Sequence, residues 1–177
     1  MLFTHFGVSG PLVLTLSSVL PDENAGIALK IDLKPALDEA ALDQRILRDF
    51  GQMQRKQLVS CMDGLEPHAL GVKILELIDI SPYQPIHSVT ATQRRAIVQT
   101  IKGLPLTVKG LRGMNEAIIT RGGVNVKEIS PSTLESKKLP GLYFAGEVID
   151  VDALTGGFNL QIAFSTGALA GRSAAEA

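Results

Sequence analysis

The hydrophobic pattern changes its period along the chain, and each change marks an element. From Met1 to Ile31 short apolar runs alternate with turn formers at Gly7, Ser9-Gly10-Pro11, Pro21-Asp22 and Asn24-Ala25-Gly26. Ile27, Leu29, Ile31 and Leu33 then occupy every second position, which predicts a half-buried strand. Pro35 suits a first helical turn, and Leu37, Ala41, Ile46, Leu47 and Phe50 form an apolar stripe beside Asp38, Asp43, Arg45 and Arg48. That spacing predicts an amphipathic helix ending near Gly51. A short apolar helix or turn follows over residues 58–62. Glu66-Pro67 opens another helix whose buried face is Leu70, Ile74, Leu77 and Ile78. The two prolines of residues 81–88 predict an extended connection. Thr90-Ala91-Thr92-Gln93 matches a capping box, so a third helix runs from there to Gly103 with Ile97, Val98 and Ile101 facing inward.

Beyond Gly103 the residues become β-branched and glycine-punctuated, and LPLTVKG and EAIITRGGVNV predict strands. Ser132-Thr133-Leu134-Glu135 predicts one helical turn. The stretch from Leu139 to Gly167 then organises the whole chain. A Pro-Gly turn leads into an apolar run, Leu142 to Ala145, which reads as a buried strand ending at Gly146-Glu147. After an acidic loop, Gly156-Gly157 permits a tight turn into a helix of small and apolar residues reaching Arg172. Sheet, helical insert, sheet and final helix make the fold class α/β, of the mixed α+β kind.

Composition narrows the setting. The 177 residues are 45% apolar and 20% charged, enough for a core and greasier than the size needs, so some apolar surface is expected to meet a partner. Seventeen basic and eighteen acidic residues are spread along the chain, and this even balance predicts no nucleic-acid partner. Cys61 is the only cysteine, which rules out an intrachain disulfide and favours a reducing, cytoplasmic setting. The longest apolar segment, Pro11 to Leu20, carries three hydroxyl residues and has about half the roughly 20 residues that a span requires, so no membrane association is expected. MLFTHFGVSGP lacks the basic residues of a secretory signal.

Chemistry concentrates in the organising stretch. Open α/β sheets place ligands where a strand gives way to a helix, and helix-start amides attract negative partial charge. A helix beginning near Asn159 would present the amides of Asn159, Leu160 and Gln161 to a carbonyl or phosphate oxygen. Glu147 could accept hydrogen bonds from hydroxyls of a sugar-like chain. A surface acid and an ordinary glycine turn explain the same residues about as well. Elsewhere the candidates are weaker: no acid orients His5 beside Ser9, Cys61 reads as a buried small residue despite His68, and the histidines are too dispersed for a metal site. Asp150 and Asp152 beside Glu147 suit ligand contacts or solvent better than a hard cation.

GLYFAGEVIDVDALTGGFNLQIAFSTG, with ITRGGVNVKEI and TLESKKLPG before it and FTHFGVSGP at the start, closely resembles the bacterial BaiN/YhiN-type flavoproteins, a family of NAD(P)/FAD-dependent, aminoacetone oxidase-like oxidoreductases. The resemblance covers nearly the whole chain. It implies a Rossmann-type FAD-binding domain interrupted by an inserted domain. Residues 1–34 would be the β part of the insert, 35–103 its helical subdomain, and 104–177 the return strands and the C-terminal part of the FAD-binding domain. It also implies that Gly146, Glu147, Asp150, Gly156, Gly157, Phe158, Asn159, Leu160 and Gln161 line FAD, with Thr120, Gly122 and Gly123 near the flavin. A pyridine nucleotide would be the reductant. No residue is assigned to catalysis.

The family pattern calls for an N-terminal G-x-G-x-x-G turn around the FAD pyrophosphate, and the 177 residues contain none. The expectation is therefore a C-terminal portion, or fragment, of an FAD-dependent oxidoreductase that does not hold FAD tightly without the N-terminal Rossmann half. The alternative is a non-catalytic interaction module. Ala163, Gly167 and Gly171 recur every four residues and form a flat strip that would pack on that half or support self-association.

Overall fold

The computed structural model describes all of residues 1–177. In chain order its elements are β1 (Leu2–Thr4), β2 (Gly7–Ser9), α1 (Pro11–Val19), β3 (Ala28–Ile31), α2 (Glu39–Gln52), α3 (Leu58–Met62), α4 (His68–Leu77), α5 (Ala91–Lys102), β4 (Leu104–Thr107) and α6 (Phe158–Glu176). The architecture is mixed α/β, as the pattern predicts. The residues separate into two compact units, one made of Met1–Asn24 and Gly110–Ala177, the other of Ala25–Lys109.

In the central unit, residues 25–109, β3 and β4 pair antiparallel with Ala28 opposite Thr107 and Ile31 opposite Leu104. The alternation of Ile27, Leu29, Ile31 and Leu33 holds, all four being half-buried while Ala28, Lys30 and Asp32 between them are exposed. The helices enclose a core of Leu42, Ile46, Leu58, Met62, Ile74, Leu75, Ile97 and Ile101, all at most 1% exposed. Burying each such side chain contributes about 1.5–3 kcal/mol, which makes this unit the stable part of the chain. The capping box forms as predicted, with Thr90 Oγ1 accepting from Gln93 N and Gln93 Oε1 accepting from Thr90 N.

Several boundaries differ from the pattern. The second helix starts at Glu39, not at Pro35, because the Asp38 carboxylate accepts from Ala41 N at 2.7 Å and caps it. Its buried residues are Leu42 and Ile46, while Leu47 is 44% exposed. Likewise α4 buries Ile74 and Leu75 and leaves Leu77 outside. Both faces are rotated because the neighbouring helices, not the sequence period alone, choose which apolar residues they cover. Residues 81–88 are not simply extended: Ile86–Ser88 form a 3-10 turn, and Gln57 bridges Pro85.

The other unit starts with the hairpin β1–β2, which pairs Phe3 with Val8, and continues into α1. Arg121 closes the end of α1 by donating to Ser18 O, Leu20 O and the Asp22 carboxylate. Here the sequence pattern overestimates regular structure. EAIITRGGVNV forms no strand, and residues 131–133 form a turn followed by Leu134 at φ 61 and the bridge residue Glu135 instead of a capped helical turn. Leu142 to Ala145 is a segment with Leu142 exposed and Tyr143 to Ala145 half-buried, bridged only through Tyr143 to Glu135, not a buried strand. A small core of Ile129, Leu134, Ile149 and Ala170 holds these segments. The final helix begins at Phe158, directly after the glycine pair as the pattern suggests, and reaches Glu176, beyond the expected end at Arg172, and Ala170 is its single buried residue. No helix is long and apolar enough to cross a membrane.

Candidate cofactor site

Three local interlocks bring most of the sequence-predicted residues together in the unit formed by residues 1–24 and 110–177. The first joins the Thr120–Gly123 loop to the segment after Ala145. Val124 N donates to Val148 O at 2.8 Å and Asp150 N donates to Val124 O at 3.0 Å, a parallel bridge centred on Val124 and Ile149. Gly123, at φ 142, lies so close that a Cβ there would overlap the carbonyl oxygen of Val148 and sit 3.0 Å from its carbon. Only glycine permits this approach. Thr120 and Gly122 lie on the same loop, exposed to solvent.

The second interlock ties the turn at Gly146 to the last helix. Gly146 N donates to Thr166 Oγ1 at 2.9 Å, and that hydroxyl donates to Ile162 O at 2.7 Å. Sequence reasoning misses Thr166. The available signal is one hydroxyl residue among small apolar ones on the helix face toward the turn.

The third interlock closes the acidic loop. The Asn159 carboxamide accepts from Ala153 N and donates to Ala153 O, both at 2.8 Å, so a side chain in the first turn of α6 pairs with one residue of the loop as a strand would. Gly157 occupies the N-cap position at φ 89, Gly156 precedes it at φ 123, and no side chain caps the helix. The amides of Phe158, Asn159 and Leu160 therefore stay without intrahelical partners. Gln161 differs from the expectation: its amide already donates to Gly157 O at 3.0 Å, and its side chain donates to Ser165 Oγ. Phe158, not Gln161, completes the set of open amides.

Around these amides the chain offers oxygen-binding and hydroxyl-binding chemistry. Glu147, Asp150 and Asp152 are exposed and make no ion pair, and no trio of metal-binding side chains converges anywhere in the chain. An uncapped, glycine-led helix start with three free donors suits an electron-rich oxygen, and carboxylates suit hydroxyl donors. The groups fit the polar edge and hydroxylated chain of a flavin nucleotide. A Cβ at Gly146 or Gly157 would meet nothing within 4 Å, so space for a ligand is present at both ends of the loop. His5 and Ser9 do not form a catalytic pair. His5 packs edge-on against Phe6, over which the Arg112 guanidinium sits at 4.1 Å. Cys61 and His68 belong to the central unit, where Cys61 is buried and His68 pairs with Asp63 at 2.8 Å.

The family model described as HI0933-like protein Rossmann domain matches residues 17–173, which takes in all three interlocks. The chain belongs to this family. The HI0933-like family is the flavoprotein family of the BaiN/YhiN type, so the resemblance carried by the GLYFAGE and GGFNLQ segments is sound. Among curated proteins, the chain is similar to the 3-dehydro-bile acid delta(4,6)-reductase of Clostridium scindens, 31% identical over 179 residues, covering 99% of this chain and 44% of that protein. It is also similar to the ribosomal RNA dihydrouridine synthases of Escherichia coli, 34% identical over 172 residues, and Haemophilus influenzae, 32% over 170 residues; each match covers 94% of this chain and 40% of the relative. The chain thus spans less than half the length of the curated relatives it matches.

Proposed function

We propose that this chain supplies one wall of an FAD site in an HI0933-like oxidoreductase that reduces a carbon–carbon double bond conjugated to a carbonyl. The observation carrying the proposal is the uncapped start of α6 behind Gly156-Gly157, held against the acidic loop by the Asn159–Ala153 pair. In this reading the amides of Phe158, Asn159 and Leu160 face the pyrimidine edge of the ring. Glu147 and Asp150 accept hydrogen bonds from the ribityl side, and Thr120, Gly122 and Gly123 close the loop beside it. When bound, reduced flavin supplies a hydride, and a proton completes the addition across the double bond.

The relatives' names support this reaction class. One describes a reductase acting at the delta(4,6) positions of a 3-dehydro bile acid, the other the synthesis of dihydrouridine in ribosomal RNA. Read as chemistry, each adds two hydrogens to a conjugated enone-like system. NAD(P)H is the natural source of the electrons that regenerate the reduced flavin.

Because the 177 residues contain no G-x-G-x-x-G turn, tight FAD binding requires the remaining Rossmann segment. The outward face of α6 supports this, with Phe158, Leu160 and Phe164 60–70% exposed. The 177-residue chain is expected to associate with itself through that face, visible as concentration-dependent sedimentation. The deciding experiment is purification of the full-length protein. We expect a flavin absorbance band at one equivalent, bleached anaerobically by NAD(P)H, and strong loss of FAD affinity in Gly157→Val, whose side chain is disfavoured at φ 89. A colourless full-length protein that ignores added FAD would overturn the proposal.

A further inference from the structure

The charge of this chain is even in total and uneven in space. The central unit carries eleven basic against nine acidic residues, the other unit six against nine. Within the central unit five of the eleven cations have a carboxylate of their own: Lys34 with Glu66, Arg45 with Asp49, Lys73 with Glu76, Arg94 with Asp43, and Lys102 with Asp32. Of the six without one, Lys30, Arg95 and Lys109 are scattered along the sequence, whereas Arg48, Arg55 and Lys56 fall within nine residues of one another. No acidic residue occurs from Phe50 to Met62, and Asp49, the nearest, is engaged by Arg45 at 2.7 Å.

These three cations are exposed and lie at one edge of the unit, where α2 ends and its following loop turns. Gly51, Gln52, Met53, Gln54, Arg55 and Lys56 line an open depression of about 360 Å³. The backbone there is held, not loose. Ile86 N donates to Lys56 O at 3.0 Å, and His87 donates from its backbone to Gln54 O at 3.3 Å with its ring Nδ1 3.2 Å from the same oxygen. His87 is thereby fixed beside the loop as a fourth group able to meet an anion. Uncompensated cations interleaved with glutamine amides, in a segment whose residues 50–62 carry no carboxylate, complement a phosphate backbone.

We propose that the Arg48–Arg55–Lys56 edge, with His87 beside it, is a docking surface for the phosphate backbone of RNA. The inference rests on the functional reading above and takes RNA as the occupant from the ribosomal RNA named for two of the relatives. The cations supply attraction and register, without reading sequence.

The test uses the full-length protein and a fluorescently labelled transcript of a ribosomal RNA domain, with anisotropy followed across a salt series. The triple variant Arg48→Gln, Arg55→Gln, Lys56→Gln is compared with the charge-retaining triple Arg48→Lys, Arg55→Lys, Lys56→Arg and with Lys73→Gln. We expect wild-type affinity to fall steeply with salt, and the neutral triple to bind more weakly with a slope shallower by about one per cation. The charge-retaining triple and Lys73→Gln should keep the wild-type slope. Equal slopes in wild type and neutral triple, or no RNA binding by the wild type while a steroid dienone is reduced, would overturn the inference. Flavin absorbance of the same samples separates the two readings: bound flavin with unchanged RNA slopes removes only the docking surface, and absent flavin with the expected slopes removes only the redox reading. Unchanged thermal melting shows that the variants fold.

Discussion

Gly123 packs its α-carbon against the carbonyl of Val148, leaving no room for a side chain: a Cβ would overlap the oxygen and lie 3.2 Å from Asp150 N. This contact holds the 120–123 loop beside the turn that carries Glu147 and Asp150. It couples two sequence motifs separated by more than twenty residues.

Gly123→Ala should therefore destabilise its unit by about 2–3 kcal/mol, combining steric overlap with an unfavourable φ of 142. Gly122→Ala, at φ 92 with open space around it, should cost about 1 kcal/mol. Thermal melts of the two variants provide the comparison. Equal losses would mean that the Val148 contact contributes nothing beyond backbone conformation.

Replacing Asn159 by leucine removes both bonds to Ala153, a loss of roughly 1–3 kcal/mol. The clearer readout is local. Limited proteolysis should cut between Asp150 and Gly157 faster in Asn159→Leu than in wild type, while the central unit stays resistant. Unchanged cleavage would show that the loop is ordered by other contacts.

Glu66 predicts a pH effect. Its side chain is 5% exposed, Oε1 has no hydrogen-bond partner, and Lys34 Nζ lies 3.4 Å away. Burial raises the carboxyl above its ordinary value, with Lys34 only partly opposing the shift. The folded state thus holds the proton more tightly than the unfolded chain, and this contribution is present below the ordinary value of 4.5 and lost as pH rises through the raised one. Glu66→Met should raise the unfolding free energy measured in urea at pH 7.5 by roughly 1 kcal/mol, and the gain should shrink at pH 4. A variant less stable than wild type at both pH values would contradict this account.

Cys61 should be inert. It is 1% exposed, and burial, reinforced by the charge of Asp49, pushes its thiol up to about 11. A disulfide reagent at pH 8 should label it only after denaturation. Because the folded value lies above the ordinary 9.0, the thiol's contribution to stability is fully present below pH 9.0 and is lost as pH rises from there through about 11. Rapid labelling of the native protein would mean that α3 opens readily.

The sequence by itself determined the elements whose signals are local. The capping box at Thr90 and Gln93, the alternation from Ile27 to Leu33, and the glycine pair before α6 each follow from chemistry within a few residues, so they are readable in one dimension. It also carried the family, through the GLYFAGE and GGFNLQ segments. Tertiary structure alone decided which face of each helix is buried, because Leu42 and Leu75 are covered while Leu47 and Leu77 are equally apolar and left outside. It decided that β-branched EAIITRGGVNV makes no strand, since β propensity requires a partner and only Val124 finds one. It also decided the interlocks of Gly123 with Val148, Gly146 with Thr166, and Asn159 with Ala153. Each joins groups that local pattern treats as independent, and a hydrogen bond between them exists only once packing has removed the water that would otherwise serve both.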